Sequence, residues 1–132
     1  METAGIHERL IHGQLTERIL ACAIEVHRHL GPGLLEGAYR VCLVDRLERE
    51  GLSVRQEVPV PVTYQGHIIE TAYRADLIVN DSVLLELKSI EALLAIHSAQ
   101  VRTYLKFLNL RVGLLMNFNV TNLMSGIRRY VC

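Results

Sequence analysis

The stretch that most constrains this fold is Tyr-Arg-Ala-Asp-Leu-Ile-Val-Asn-Asp-Ser-Val-Leu-Leu-Glu-Leu-Lys, residues 73–88. Two apolar runs, Ala75–Val79 and Val83–Ser89, flank Asn80-Asp81-Ser82, a polar trio suited to a tight turn. The pattern predicts an antiparallel hairpin. With the turn centred on Asp81, Asp76 falls opposite Glu86. Side chains alternate along a strand, so Glu86 and Lys88 share one face while Leu85 and Leu87 take the other. Arg74 shares the face of Asp76, as a counter-charge or as a contact for phosphate.

An acid on each strand and a lysine thus meet on one patch of an otherwise hydrophobic hairpin. Desolvating charge is costly, and neighbouring carboxylates repel unless something positive lies between them. A divalent cation meets that need, because Mg²⁺ prefers oxygen ligands from one or two carboxylates with water or phosphate completing its shell. A solvated ion cluster on an exposed sheet edge is the competing reading.

Around the hairpin the periodicity predicts further elements. A loose lead-in over 1–13 precedes a first helix, Leu15–His29, closed by Gly31-Pro32-Gly33. His27 and His29 sit near its end, where a cap or surface role competes with a place at the site. A second helix, Leu34–Glu50, buries Leu35, Ala38, Tyr39, Cys42, Leu43 and Leu47 and ends at Gly51. Glu36 lies on its first turn, where a carboxylate also suits the helix dipole. Leu52–Pro61 reads as a strand, with prolines marking an edge or bulge. Val62–Tyr64, a turn at Gln65-Gly66, and His67–Tyr73 form a hairpin leading straight into the next strand, giving a meander. A helix over Ile96–Asn109 has its apolar pattern at Ile96, Ala99, Val101, Tyr104, Leu105 and Leu108, with Gln100 and Tyr104 on one side. Leu110–Phe118 reads as a buried central strand parallel to the Glu86 strand. The segment 122–131 ends in a helical turn or strand. Arg102, Lys106 and Arg111 form a basic grouping read as a solvated face, and Arg128 and Arg129 are either phosphate contacts or surface caps.

Asp76, followed on the next strand by Glu86-Leu87-Lys88, resembles the core of the PD-(D/E)XK nuclease superfamily. Ala75 stands where the superfamily label has Pro. Gly33-Leu34-Leu35-Glu36-Gly37-Ala38-Tyr39 matches the GxxExxY signature of one subfamily, and Gln100-Val101-Arg102-Thr103-Tyr104 matches the Gln-x-x-x-Tyr element that follows the core in many members. The likeness runs from about Thr16 to Val131. It implies an α/β (α+β) restriction-endonuclease-like core: a mixed central β-sheet with N-terminal helices and a crossover helix packed on it, in a single domain over 14–132. It also implies that Asp76, Glu86 and Glu36 hold Mg²⁺, with Mn²⁺ as a substitute, and that Lys88, Gln100 and Tyr104 serve catalysis. Gln56-Glu57 is similar to a Gln-Glu pair of the family, which makes Gln56 a candidate for a hydrogen bond beside the site.

Composition limits these readings. With 132 residues, half of them hydrophobic and 21% charged, the chain suits one globular domain. No apolar run reaches the 18 or more residues of a membrane span, and the first residues lack the pattern of a signal peptide, so a cytoplasmic location without membrane contact is expected. Three cysteines without Cys-x-x-Cys spacing argue against a disulfide framework or a zinc site, and Cys22 and Cys42 are expected in the core. Fourteen basic residues balance fourteen acidic ones, whereas autonomous duplex binders carry excess Lys and Arg. The expectation is a metal-dependent DNA nuclease, with a homodimer by analogy or a protein partner supplying DNA affinity. The alternatives are a noncatalytic nuclease-fold scaffold and a hydrolase for a small phosphorylated metabolite.

Overall fold

The computed structural model describes residues 10–70 and 73–132. Helix α1, Gly13–Leu30, and helix α2, Glu36–Arg49, are followed by strands β1, Val54–Pro59, β2, Val62–Tyr64, β3, His67–Ile69, β4, Arg74–Val79, and β5, Val83–Lys88. Helix α3, Ala95–Leu108, leads to β6, Val112–Asn117, then a 3₁₀ turn, Leu123–Gly126, and β7, Ile127–Val131. The five-stranded sheet has the order β1-β4-β5-β6-β7, in which β5 and β6 run parallel and the other pairs antiparallel. This is the mixed α+β architecture of a restriction-endonuclease-like core.

One sheet face carries α1 and α2. Ile19, Cys22, Ala23, Tyr39, Leu43 and Leu47 pack there on Leu77, Leu85, Leu87, Leu114, Met116 and Phe118. The other face carries α3, whose Val101, Tyr104 and Leu105 cover Ala75, Ile78, Leu84 and Leu115. Both faces of β6 are covered and all six of its residues are buried, as its unbroken apolar run predicts. Gly113 lets α3 sit close: a Cβ there would stand 2.9 Å from Val101 Cγ1 and 3.3 Å from Leu105.

Several expectations need correction. The sheet is not a meander, because β2 and β3 pair only with each other in a separate ribbon while β4 pairs with β1. Leu35, just before α2, and Ala38 and Cys42 on it are exposed rather than core, and of the apolar pattern of α3, Ile96 and Ala99 also face outward. Each helix buries a narrower stripe than its apolar content suggests, since α2 rests on the sheet through Tyr39, Leu43, Val44 and Leu47 and α3 through Val101, Tyr104 and Leu105. Strand β5 ends at Lys88, one residue before Ser89.

Candidate active site at the sheet fork

The turn of the hairpin has Asn80 and Asp81 both at left-handed φ, 50° and 52°, and the Ser82 N–H donates to the Val79 carbonyl. This turn sets the pairs Val79↔Val83, Ile78↔Leu84 and Leu77↔Leu85, and the same register carries on to Asp76 opposite Glu86. There the ladder stops. Strand β4 stays joined to β1 as far as Arg74↔Pro59, and β5 stays joined to β6 as far as Lys88↔Asn117, so the sheet forks between β4 and β5. The two acids occupy the gap and take over the lost backbone bonds. Glu86 Oε1 accepts the Asp76 N–H at 2.9 Å, and Asp76 Oδ2 accepts the Leu87 N–H at 2.8 Å. On the far side of β4, Glu57 drops out of the ladder at φ 51° and turns its carboxylate to Arg40, 2.6 Å away.

Glu36 reaches the fork from the first turn of α2. Gly33 at φ 101° lets the incoming loop bend. Buried Tyr39 ties that loop down: its hydroxyl donates to the Gly31 carbonyl at 2.5 Å and accepts the Leu34 N–H at 3.2 Å, and its ring stacks on Phe118 with centroids 4.7 Å apart. Ser89, next to Lys88, donates its hydroxyl to the Leu34 carbonyl. Within Gly33–Tyr39, the glycine frees the bend, the tyrosine fastens it, and the glutamate is presented to the sheet.

The Glu36 carboxyl lies within hydrogen-bond reach of Asp76, and the Lys88 and Arg40 charges are near. Its pKa is raised, first by burial and then by Asp76, with Lys88 and Arg40 opposing. Glu86, only 3% exposed, is pushed up to about 8 by burial and by Asp76, and Glu36 adds to this; the Asp76 N–H and Lys88 pull the other way. Lys88 thus serves both Glu36 and Glu86, and Arg40, which also acts on Glu36, is paired with Glu57. From the other face, α3 contributes Tyr104, whose pKa is raised by burial and then by the charges of Glu86 and Asp76. Gln100 Nε2 donates to the Tyr104 hydroxyl at 3.0 Å, which leaves the phenolic proton free to donate elsewhere.

All six expected site residues, Glu36, Asp76, Glu86, Lys88, Gln100 and Tyr104, are therefore drawn to the fork or its edge. Other candidates are not. His27 is buried, with Nε2 3.1 Å from the Phe118 carbonyl and 2.8 Å from that of Val120, tying α1 to the end of β6. His29 borders a cleft of about 510 Å³ between α1 and α2 that contains none of the fork residues. Gln56 is exposed opposite Leu77, whereas Arg74, exposed at the start of β4, stands on the forked end of that strand two residues before Asp76. Arg102 covers the Tyr130 ring, Lys106 lies over Phe107, and Arg111 reaches the Cys132 carbonyl. Arg128 bonds to the Ser125 and Ile127 carbonyls, and Arg129 to Thr16 and Ile11.

Sequence reasoning missed two contributors. Arg40 lies one turn after Glu36, and that i,i+4 spacing was the available signal. Buried Asn117 clamps the turn after Lys88: its Oδ1 accepts the Ile90 and Asn119 N–H groups at 3.1 and 3.2 Å, and its Nδ2 donates to the Ile90 carbonyl at 2.9 Å. An Asn ending an apolar strand gave no pattern to read.

A family model for the PD-(D/E)XK nuclease superfamily matches residues 13–130, nearly the whole chain. The chain belongs to the PD-(D/E)XK nuclease superfamily. No curated protein and no solved structure matches it. Members of the superfamily generally use divalent metals, and the donors at this fork suit one. They are hard carboxylate oxygens, and burial and mutual repulsion raise the pKa of Glu36 and push that of Glu86 up to about 8, a strain that a cation relieves. Among the described residues, no three His, Cys, Asp or Glu side chains already stand as a ligand set. Two carboxylates with water completing the shell is nonetheless an ordinary Mg²⁺ arrangement. No described helix of this PD-(D/E)XK domain is long and apolar enough to cross a membrane.

Proposed function

We propose that the protein is a metal-dependent nuclease that hydrolyses DNA phosphodiesters, in the GxxExxY branch of the superfamily. The observation that carries this reading is the gathering of Glu36, Glu86 and Lys88 around Asp76 at the sheet fork. Asp76 and Glu86, assisted by Glu36, are the residues that would hold Mg²⁺ or Mn²⁺. When bound, such an ion supplies Lewis-acid stabilisation of the phosphate and acidifies water. Lys88 orients the attacking water and neutralises charge growing on the phosphate oxygens. Tyr104, its hydroxyl held by Gln100, donates a hydrogen bond toward the same phosphate. Arg40, anchored by Glu57, tempers the acid cluster at Glu36.

The working unit is residues 14–132, acting in the cytoplasm; most of the segment 1–13 expected as a lead-in lies outside the described residues. A second copy or a protein partner would add the DNA affinity that balanced charge does not supply. The test is cleavage of plasmid and oligonucleotide DNA with Mg²⁺ or Mn²⁺, run beside Asp76→Ala and Lys88→Ala. Both variants are expected to lose about 10²–10⁴ in rate, with Lys88→Ala still binding metal. Wild-type cleavage by Lys88→Ala would remove the assignment. If millimolar metal gives neither binding heat nor thermal stabilisation, the balanced charge and small size point to the scaffold reading instead.

A further inference from the structure

Beside the fork, on the α3 face, lies a hollow of about 310 Å³ bordered by Val62, Tyr73, Ile96, Ala99, Gln100 and Tyr104. That is the lower end of the size range of small-molecule sites, room for about one planar ring system. Its apolar rim is not needed for the core: Ile96 is 69% and Tyr73 46% exposed. The main chain of Tyr73 is held, since its carbonyl accepts the Val60 N–H at 3.0 Å one residue before β4 begins. Tyr104 and Gln100 belong both to the hollow and to the edge of the acid cluster, so the two spaces adjoin.

We propose that this hollow receives an unpaired nucleobase of single-stranded DNA while the neighbouring phosphodiester lies at Glu86 and Lys88. The proposal rests on the nuclease reading and narrows its substrate. An exposed tyrosine ring gives a stacking platform that tolerates any base, and the Gln100 amide and Thr103 hydroxyl border the same space to meet a base edge. Charge favours the same substrate. A duplex is held mainly through its phosphates, but the chain has no excess of cations, and Arg40, Arg46, Arg49 and Arg55 are held in ion pairs with acids. A duplex also hides its bases and must unstack and unpair one before anything enters the hollow. A single strand presents base and phosphate together.

The test is fluorescence anisotropy with a labelled mixed-sequence oligodeoxynucleotide, as a single strand and annealed to its complement, in Mg²⁺ on a Lys88→Ala background that suppresses cleavage. Single strand is expected to bind at least tenfold tighter than duplex. Adding Tyr73→Ala weakens single-strand binding by roughly five- to a hundredfold. Tyr73→Phe, which keeps the ring, stays within about twofold of the parent. Unchanged melting of each variant excludes a folding defect. Equal or tighter duplex binding, single-strand binding indifferent to Tyr73→Ala, or no binding of either form overturns the proposal. Cleavage measured separately with Lys88 intact keeps the two readings apart. DNA cut without dependence on Tyr73 would leave the nuclease standing and the base site refuted, whereas Tyr73-dependent binding with no cleavage would do the reverse.

Discussion

At the scale of single residues, Glu86 carries the largest electrostatic burden in the fold. Its carboxyl is buried beside Asp76 and titrates near 8, well above the ordinary carboxylate value of 4.5. A folded-state pKa raised above the unfolded one means that the metal-free native state binds more protons than the unfolded chain, so stability falls as pH rises between about 4.5 and 8. Thermal melting of metal-free protein is expected to show this loss, on the order of a few kcal/mol. Glu86→Gln should flatten the profile and melt higher than wild type at pH 8, while Mn²⁺ should restore wild-type stability there. A wild-type profile flat from pH 5 to 8 would contradict it. Most of this cluster was legible in the sequence, because strand alternation and a turn centred on Asp81 fix which residues meet. Arg40 and Asn117 were missed: the i,i+4 spacing from Glu36 does not by itself mark Arg40 as part of a site, and Asn117 grips a loop and leaves no periodic trace.

At the scale of elements, the site depends on how closely α3 lies on β6. Gly113 is where the two meet, and its absent side chain leaves room for Val101 and Leu105. Gly113→Ala must push these side chains aside, at a cost of about 1–3 kcal/mol. It should also lower catalytic rate more than metal affinity, because Tyr104 moves with α3 whereas Asp76 and Glu86 belong to the sheet. Denaturant unfolding reads the stability cost, while cleavage kinetics beside metal titration separate rate from affinity; equal losses in rate and affinity would argue against this division. The elements themselves were largely readable from apolar periodicity, including β6 as the buried central strand. The ribbon of β2 and β3 was misplaced because sequence adjacency favours a meander, and nothing local tells that β1 reaches past the ribbon to pair with β4.

At the scale of the whole molecule, the balance of fourteen cations against fourteen anions predicts weak long-range attraction to DNA. A plot of log affinity against log salt should have a shallow slope, no steeper than about −3, as for a protein that neutralises only a few phosphates. A slope near −6 in anisotropy titrations would reveal a basic track. The fork between β4 and β5 has one more consequence. Asp76 and Glu86 each lend one carboxylate oxygen to a main-chain amide across the gap and keep the second for another partner, so one rigid group joins the backbone of both strands to whatever the site holds. Loading of the centre and spacing of the two strands are thereby a single mechanical coordinate, and whatever docks on the carboxylates is also felt by the backbone.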